Sequence, residues 1–189
     1  MKRTILIILT IATIFISCDD MINKANEQVD NSIEMSKSEM NSDVTNAKGI
    51  FTKTYEKDLL TTKDSIATSK IKRLYSSIIE ASKFIDSLRI VVNRLDEKDL
   101  KNNDIIKKMF LNDGMADSVF NKVKLSYNIA EEVAINESIK ATVHKARDVY
   151  TEETKRQFFE MNNPVGVNII LYGIESELIK DGTNSLKSR

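Results

Sequence analysis

The sequence predicts an all-α protein, an antiparallel up-down bundle of about four main helices that follows an export signal. The chain has 189 residues, with one proline, five glycines and no tryptophan. So few turn-forming residues favour long helices, because sandwiches and barrels need a turn about every 8–12 residues. Hydrophobic residues make up 41% of the chain and charged residues 30%, which is typical of a folded domain rather than a disordered one.

The N-terminal segment has the pattern of a bacterial export signal. Two basic residues precede the apolar run 5–16, and Ser17 then precedes Cys18, the single cysteine. A helix of twelve residues would be about 18 Å long, too short for the roughly 30 Å hydrocarbon core of a bilayer. The stretch from Phe15 to Cys18 resembles a lipobox, although Phe15 replaces the usual leucine. That resemblance implies acylation of Cys18, with palmitate among the chains; the alternative is an ordinary signal peptide with an incidental cysteine.

The lipobox implies a division of the chain and a location. We expect residues 1–17 to be the signal peptide, 18–186 the helical bundle and 187–189 a tail. Two or more acyl chains give stable anchoring, so we expect a lipid-anchored protein of the cell envelope. Asp19 and Asp20 resemble an inner-membrane retention signal of enteric bacteria and equally a surface-export signal of Bacteroidetes. The periplasmic face of either membrane and the cell surface therefore stay open.

Apolar residues between Ile22 and Tyr55 recur in steps of three and four, which predicts a first amphipathic helix. Gly49 interrupts it with a residue of low helix propensity, and we expect fraying before residue 45. The apolar face consists of Ile22, Ala25, Val29, Ile33, Met40, Val44, Ala47, Phe51 and Tyr55.

The second predicted helix has the clearest periodicity. Thr61 and Asp64 are spaced as in a capping box, which predicts the helix start. Apolar residues from Ala67 to Leu95 then alternate steps of four and three, a heptad seam that indicates packing against partner helices. We interpret the seam as bundle core; the alternative is an intermolecular coiled coil. Its members are Ala67, Ile71, Leu74, Ile78, Ala81, Ile85, Leu88, Val92 and Leu95.

The polar stretch 96–104 predicts a loop, with a short helical piece at 105–111 and a turn at 112–114. A third helix carries Phe120, Val123, Tyr127, Ala130 and Ala134 on one face, and a weaker pattern after position 136 suggests a further short helix.

The last helix has a strong start signal, because Asn162 and Asn163 precede Pro164. We expect it to end near Asp181, with Gly182 as a left-handed C-cap and 183–189 as a frayed tail.

No catalytic, metal or cofactor site is predicted. Lysine plus arginine equals aspartate plus glutamate, 28 each, so the chain has no basic stripe for nucleic acid. His144 is the only histidine and lacks neighbours at ligand or triad spacing, so we interpret it as a solvated helix residue. Gly166 and Gly173 lie in a helical pattern, which favours close helix packing over a phosphate loop.

Phe158 and Phe159 are the candidate partner contacts. Adjacent aromatic residues on one helix point in different directions, so one can pack under the following connection while the other is exposed. The main interpretation is a hydrophobic contact that closes the loop on the bundle, and the alternative is a partner contact.

Two stretches resemble a known family. SKFIDSLRIVVNRL and DLKNNDIIKKMFLNDGMADSVFNKVKLSY, between Ser82 and Tyr127, and FFEMNNPVGVNIILYGIESEL, from Phe158 to Leu178, are similar to the first periplasmic helical domain of GldM. GldM is the gliding-motility and type IX secretion protein of Bacteroidetes. The resemblance covers residues 22–186 and implies a non-catalytic helical module that contacts an envelope protein or a second copy of itself. GldM begins with a transmembrane helix and continues into β-rich domains, so here we expect an accessory rather than a motor shaft. The alternative is a ligand- or surface-binding lipoprotein unrelated to secretion.

Overall fold

The computed structural model describes residues 38–95, 99 and 102–189, which are helical with short connections and contain no strand. The all-α class is confirmed. The chain divides into two compact units, Met1–Ser42 and Asp43–Arg189. Of the first unit the structure describes only 38–42. The expected signal peptide, Cys18 and the apolar positions before residue 38 lie outside the described residues.

Seven helices follow one another along the described chain. α1 covers 38–61, so no break precedes residue 45 within the described part. A short α3 continues directly into a π-helical segment, Lys107–Asn112. The other helices are α2 (Ser65–Asn93), α3 (Asn103–Ile106), α4 (Met115–Val133), α5 (Glu137–Asp148), α6 (Glu152–Phe159) and α7 (Pro164–Lys187).

The heptad seam lies in the core. All its members from Ile71 to Val92 are buried, while Ala67 and Leu95 at its two ends are partly exposed. α2 uses this face to pack against α4 and α7. The prediction of bundle core is therefore confirmed for the seam, since its apolar stripe is covered within one chain.

Three helix starts follow their sequence signals. Gly114 turns the chain into α4 with φ of 74°, a left-handed conformation that glycine adopts without steric cost. Asn136 caps α5 by accepting from the Ser138 N–H at 2.9 Å. Asn163 caps α7 by accepting from the Gly166 N–H at 2.9 Å.

The predicted capping box at Thr61 is wrong. Asp64 is the N-cap of α2, and its carboxylate accepts from the Ile66 N–H at 2.8 Å. Thr61 belongs to the last turn of α1, where its hydroxyl donates to the Asp58 carbonyl at 3.1 Å. Asp64 rather than Thr61 caps α2, because the three-residue connection 62–64 separates the two helices and places Asp64 next to the free backbone amides at the start of α2.

The predicted end of the last helix is also wrong. α7 continues to Lys187, and Thr183, Ser185 and Leu186 are buried rather than frayed. Gly182 has no positive φ. A Cβ on Gly182 would collide with the Ile78 side chain, so the glycine permits close approach of α7 to α2.

The alternation of an up-down bundle is not confirmed. α2 runs antiparallel to α4, because Ser77 contacts Ser126 while Phe84 lies near Lys122. α7 is also antiparallel to α2, because Ser82 bonds Glu175 while Arg89 bonds Asn168, and α7 therefore runs parallel to α4. The chain returns between them through α5 and α6, of which α6 was not predicted.

Candidate functional site

A cluster of buried charges lies where α1, α2 and α7 meet. Glu175 of α7 is fully buried, and Arg89 of α2 is only 5% exposed. The Arg89 guanidinium lies 3.3 Å from one carboxylate oxygen of Glu175, and the Lys48 ammonium of α1 lies 2.8 Å from the other. Lys48 also bonds Asp86 at 2.6 Å. Two cations thus face two carboxylates, and the formal charges balance.

Neutral groups complete this charge cluster. The Ser82 hydroxyl donates to Glu175 at 2.5 Å, and Arg89 Nε donates to the Asn168 side-chain oxygen at 3.3 Å. The Tyr172 ring lies 5.6 Å from the guanidinium carbon of Arg89, a cation–π distance. Each buried charge therefore has several partners, which is the condition for retaining an ion pair inside a protein.

Burial and pairing act in opposite directions on the pKa values of the cluster. Burial raises the pKa of Glu175 above its ordinary value, and hydrogen bonds from Lys48 and Ser82 offset part of that rise. Burial lowers the pKa of Lys48, but hydrogen bonds to Asp86 and Glu175 outweigh it and leave that pKa raised. The lysine therefore stays charged and supplies the attraction that holds α1 against its two neighbours.

This charge cluster was not predicted from the sequence, although Glu175 gives a signal for it. Glu175 lies four residues after Leu171 and three before Leu178, so it occupies an apolar-seam position of α7. Arg89 directly follows Leu88 of the α2 seam. A charged residue at a seam position indicates a buried pair, but Arg89 is 86 residues away from Glu175 and periodicity does not connect the two.

A second buried polar group consists of Tyr127 of α4, Asp181 of α7 and Tyr150 in the connection between α5 and α6. The rings of Tyr127 and Tyr150 lie with their centroids 6.0 Å apart, and Asp181 lies close enough to affect the pKa of both tyrosines. Burial raises the pKa of both tyrosines and of Asp181. All three side chains lie in the packed interior, so this group fixes how α7 lies against α4.

His144 lies at the surface of α5, as predicted. It is 3.2 Å from Glu131 and 3.3 Å from Asp148, and Arg147 bonds the same Glu131 at 3.0 Å. Within the described part of the chain, no three histidine, cysteine or acidic residues come together as metal ligands would.

A shallow cleft of about 380 Å³ lies beside Arg147. It is lined by Lys124, Asn128, Arg147, Asp148, Tyr150 and Thr151.

The two candidate aromatic residues differ in their surroundings. Phe159 is fully buried and stacks on Phe110 with ring centroids 4.6 Å apart. Phe158 is half-buried and meets Phe120 edge-on at 6.2 Å. Phe159 thus serves the core, as the main interpretation expects, and has no surface left for a partner; Phe158 keeps a partly exposed edge.

Three large apolar side chains are exposed at one end of the helices. Leu60 in the last turn of α1 is 87% exposed, Ile66 in the first turn of α2 is 68% exposed and Ile135 after α4 is 58% exposed. The end of α7 lies among them, because Arg189 pairs with Asp58 at 3.2 Å and Ser188 bonds Ile135 at 3.0 Å. We call Leu60, Ile66 and Ile135 the apolar end.

Among the residues with a described structure, no helix combines the length and the apolar character needed to cross a membrane. Cys18, the predicted lipidation site, lies outside those residues. Comparison with protein-family models, with curated proteins and with solved structures finds no match for this chain.

Proposed function

We propose that this chain is a lipid-anchored, non-catalytic interaction module of the bacterial cell envelope, accessory to gliding motility or type IX secretion. The lipobox-like segment ending at Cys18 supports the anchor. The resemblance of 82–127 and 158–178 to the first periplasmic domain of GldM supports the envelope role. In this proposal the four long helices act together as one bundle, and the partner is an envelope protein or a second copy of the chain.

The observation that carries the interaction role is the apolar end. Leu60, Ile66 and Ile135 come from three different segments, yet they are exposed at the same end of the helices. Single exposed apolar residues are common on monomers, but a group of them typically marks a contact surface. A protein partner that covers them would remove apolar area from water.

The buried polar groups support a packing role for the interior. Arg89 and Ser82 both donate to Glu175, and Tyr127 and Asp181 are both buried. A ligand-binding cavity needs polar side chains that are free to contact the ligand. The pairing of Arg89 and Ser82 with Glu175 favours a bundle that presents its outer surface to partners.

Photocrosslinking in cells tests the proposal. A photoreactive amino acid at position 60 or 66 is expected to give one dominant adduct with an envelope protein or with a second copy. Lys53, exposed on the same helix, is the matched control position. Equal adduct yields at positions 53, 60 and 66, or recovery of the chain from the soluble fraction, would contradict the proposed role.

A ligand- or surface-binding lipoprotein is the second candidate, and the cleft beside Arg147 favours it. Lys124 and Arg147 outnumber the one carboxylate, Asp148, in the lining of a cleft of about 380 Å³, a volume suited to a small anionic ligand. Isothermal titration with small carboxylates distinguishes the candidates. Binding that Lys124→Ala abolishes supports this second function, and heat signals no larger than dilution argue against it.

A further inference from the structure

α1 lies in a groove between α2 and α7 as a ligand helix would. Phe51 and Val44 are buried there, and Tyr55 stacks on Tyr75 of α2 at 4.0 Å. A Cβ on Gly182 of α7 would lie 3.3 Å from the Phe51 ring, so the glycine makes room for it. The groove therefore recognises an amphipathic helix with apolar residues three and four apart.

The groove also recognises one cation on that helix. Lys48 lies between Val44 and Phe51 and reaches both Glu175 and Asp86. Without α1, both carboxylates would keep a partner on α2, because Arg89 lies 3.3 Å from Glu175 and 3.5 Å from Asp86. Departure of α1 therefore leaves no buried carboxylate without a cation.

α1 has a low intrinsic tendency to be helical. Its segment 43–61 contains Gly49 and four threonines, at positions 45, 52, 54 and 61. Glycine costs roughly 1 kcal/mol relative to alanine in a helix, and threonine up to about 0.7 kcal/mol. Most of the stability of an amphipathic helix in a protein comes from tertiary packing, so α1 depends on the groove for its structure.

We infer that α1 undocks from the folded protein and that the empty groove accepts α1 of a second copy, so that two copies exchange this helix. The occupant is identical in chemistry to the one that the structure contains. The connection 62–64 has only three residues, and short connections favour exchange because an extended connection relieves a tight turn. Leu60 of the apolar end belongs to α1 but is exposed, whereas the exchange uses the buried face of that helix, so the inference goes beyond the contact surface of the proposed function.

A labelled peptide of residues 43–61, added to full-length chains, tests the groove. Lys48→Glu puts a third carboxylate beside Glu175 and Asp86 and weakens docking of the chain's own α1, whereas the peptide still supplies the lysine. We expect the peptide to bind the Lys48→Glu chain roughly tenfold or more tightly than the Lys53→Glu chain, whose change lies on the exposed face. Equal affinities for the two variants would overturn the inference.

A second variant and a second measurement keep the test independent of folding defects. Lys48→Met removes the charge but keeps the side-chain length, and it is expected to bind the peptide more tightly than the wild type, with an unchanged helical circular-dichroism signal.

For the exchange itself, ¹⁴N and ¹⁵N wild-type chains are mixed and coupled with a zero-length reagent. Lys48 and Asp86 are 2.6 Å apart, so an exchanged pair gives ¹⁴N–¹⁵N products between these two residues. Products within single isotopes alone would overturn it.

Discussion

Replacing Gly182 by alanine is expected to destabilise the protein, although glycine is a poor helix former. The new Cβ would collide with Ile78 Cδ1 and lie 3.3 Å from the Phe51 ring. Both neighbours are fully buried, so they move only by displacing other core side chains. Overpacking of this kind costs about 1–3 kcal/mol, while the gain in helix propensity is about 1 kcal/mol. We expect a net loss of up to about 2 kcal/mol in the free energy of unfolding.

Gly173→Ala is the matched control in the same helix. A Cβ at position 173 would meet nothing within 4 Å. Only the propensity gain then remains, and we expect a stabilisation of about 0.5–1 kcal/mol. The two substitutions are chemically identical, so a difference in sign between them isolates the contact with α2.

Urea denaturation followed by circular dichroism measures both changes, and Ile78→Val sharpens the comparison. Valine at position 78 lacks the Cδ1 that the new methyl group would meet. The double substitution with Gly182→Ala is therefore expected to be more stable than the sum of the single changes predicts, with a coupling of about 0.5 kcal/mol or more. Stabilisation by Gly182→Ala equal to that by Gly173→Ala, or additive effects in the double variant, would refute the packing role of Gly182.

Three further predictions follow from the core and its titrating groups. Phe159→Ala is expected to cost about 3–5 kcal/mol, and Phe158→Ala clearly less, because only Phe159 is fully buried; comparable losses in urea denaturation would count against that assignment. Gly114→Ala is expected to cost about 1 kcal/mol through its positive φ alone, since nothing lies within 4 Å of its Cβ position, and an unchanged midpoint would be inconsistent with a left-handed residue there. Burial raises the pKa of Tyr127 and Tyr150 above the ordinary value of 10, so their contribution to stability is fully present below pH 10 and is lost as the pH rises further. The melting temperature should fall above about pH 10, less steeply in Tyr127→Phe; equal slopes would exclude Tyr127 as a cause.

The elements that sequence periodicity predicts well are those with long apolar stripes. The α2 seam from Ile71 to Val92 is buried as expected, because seven positions repeat the same spacing and must be covered together. α6 escaped prediction because it is short and its only apolar residues are Phe158 and Phe159 at its end. Tertiary contacts stabilise α6: Lys155 pairs with Asp117 at 2.6 Å, and Phe159 stacks on Phe110.

Errors arose where a local signal competes with distant packing. Gly182 has the chemistry of a C-cap, but the buried residues Ser185 and Leu186 continue the helix and make a left-handed residue at 182 unfavourable. Glu175 and Arg89 appear in the sequence as two unrelated charges on different helices. They form a buried pair only because α2 and α7 approach each other closely, so local sequence patterns could not predict the charge cluster.

Intact-mass analysis of the protein extracted from membranes tests the central claim most directly. A lipid-anchored envelope module predicts a chain that begins at Cys18 and carries the added mass of at least two acyl chains. A Cys18→Ser variant should lose that mass and leave the membrane fraction. A full-length chain that retains residues 1–17, or a mature chain with an unmodified thiol, would contradict the anchor on which the proposed envelope role depends.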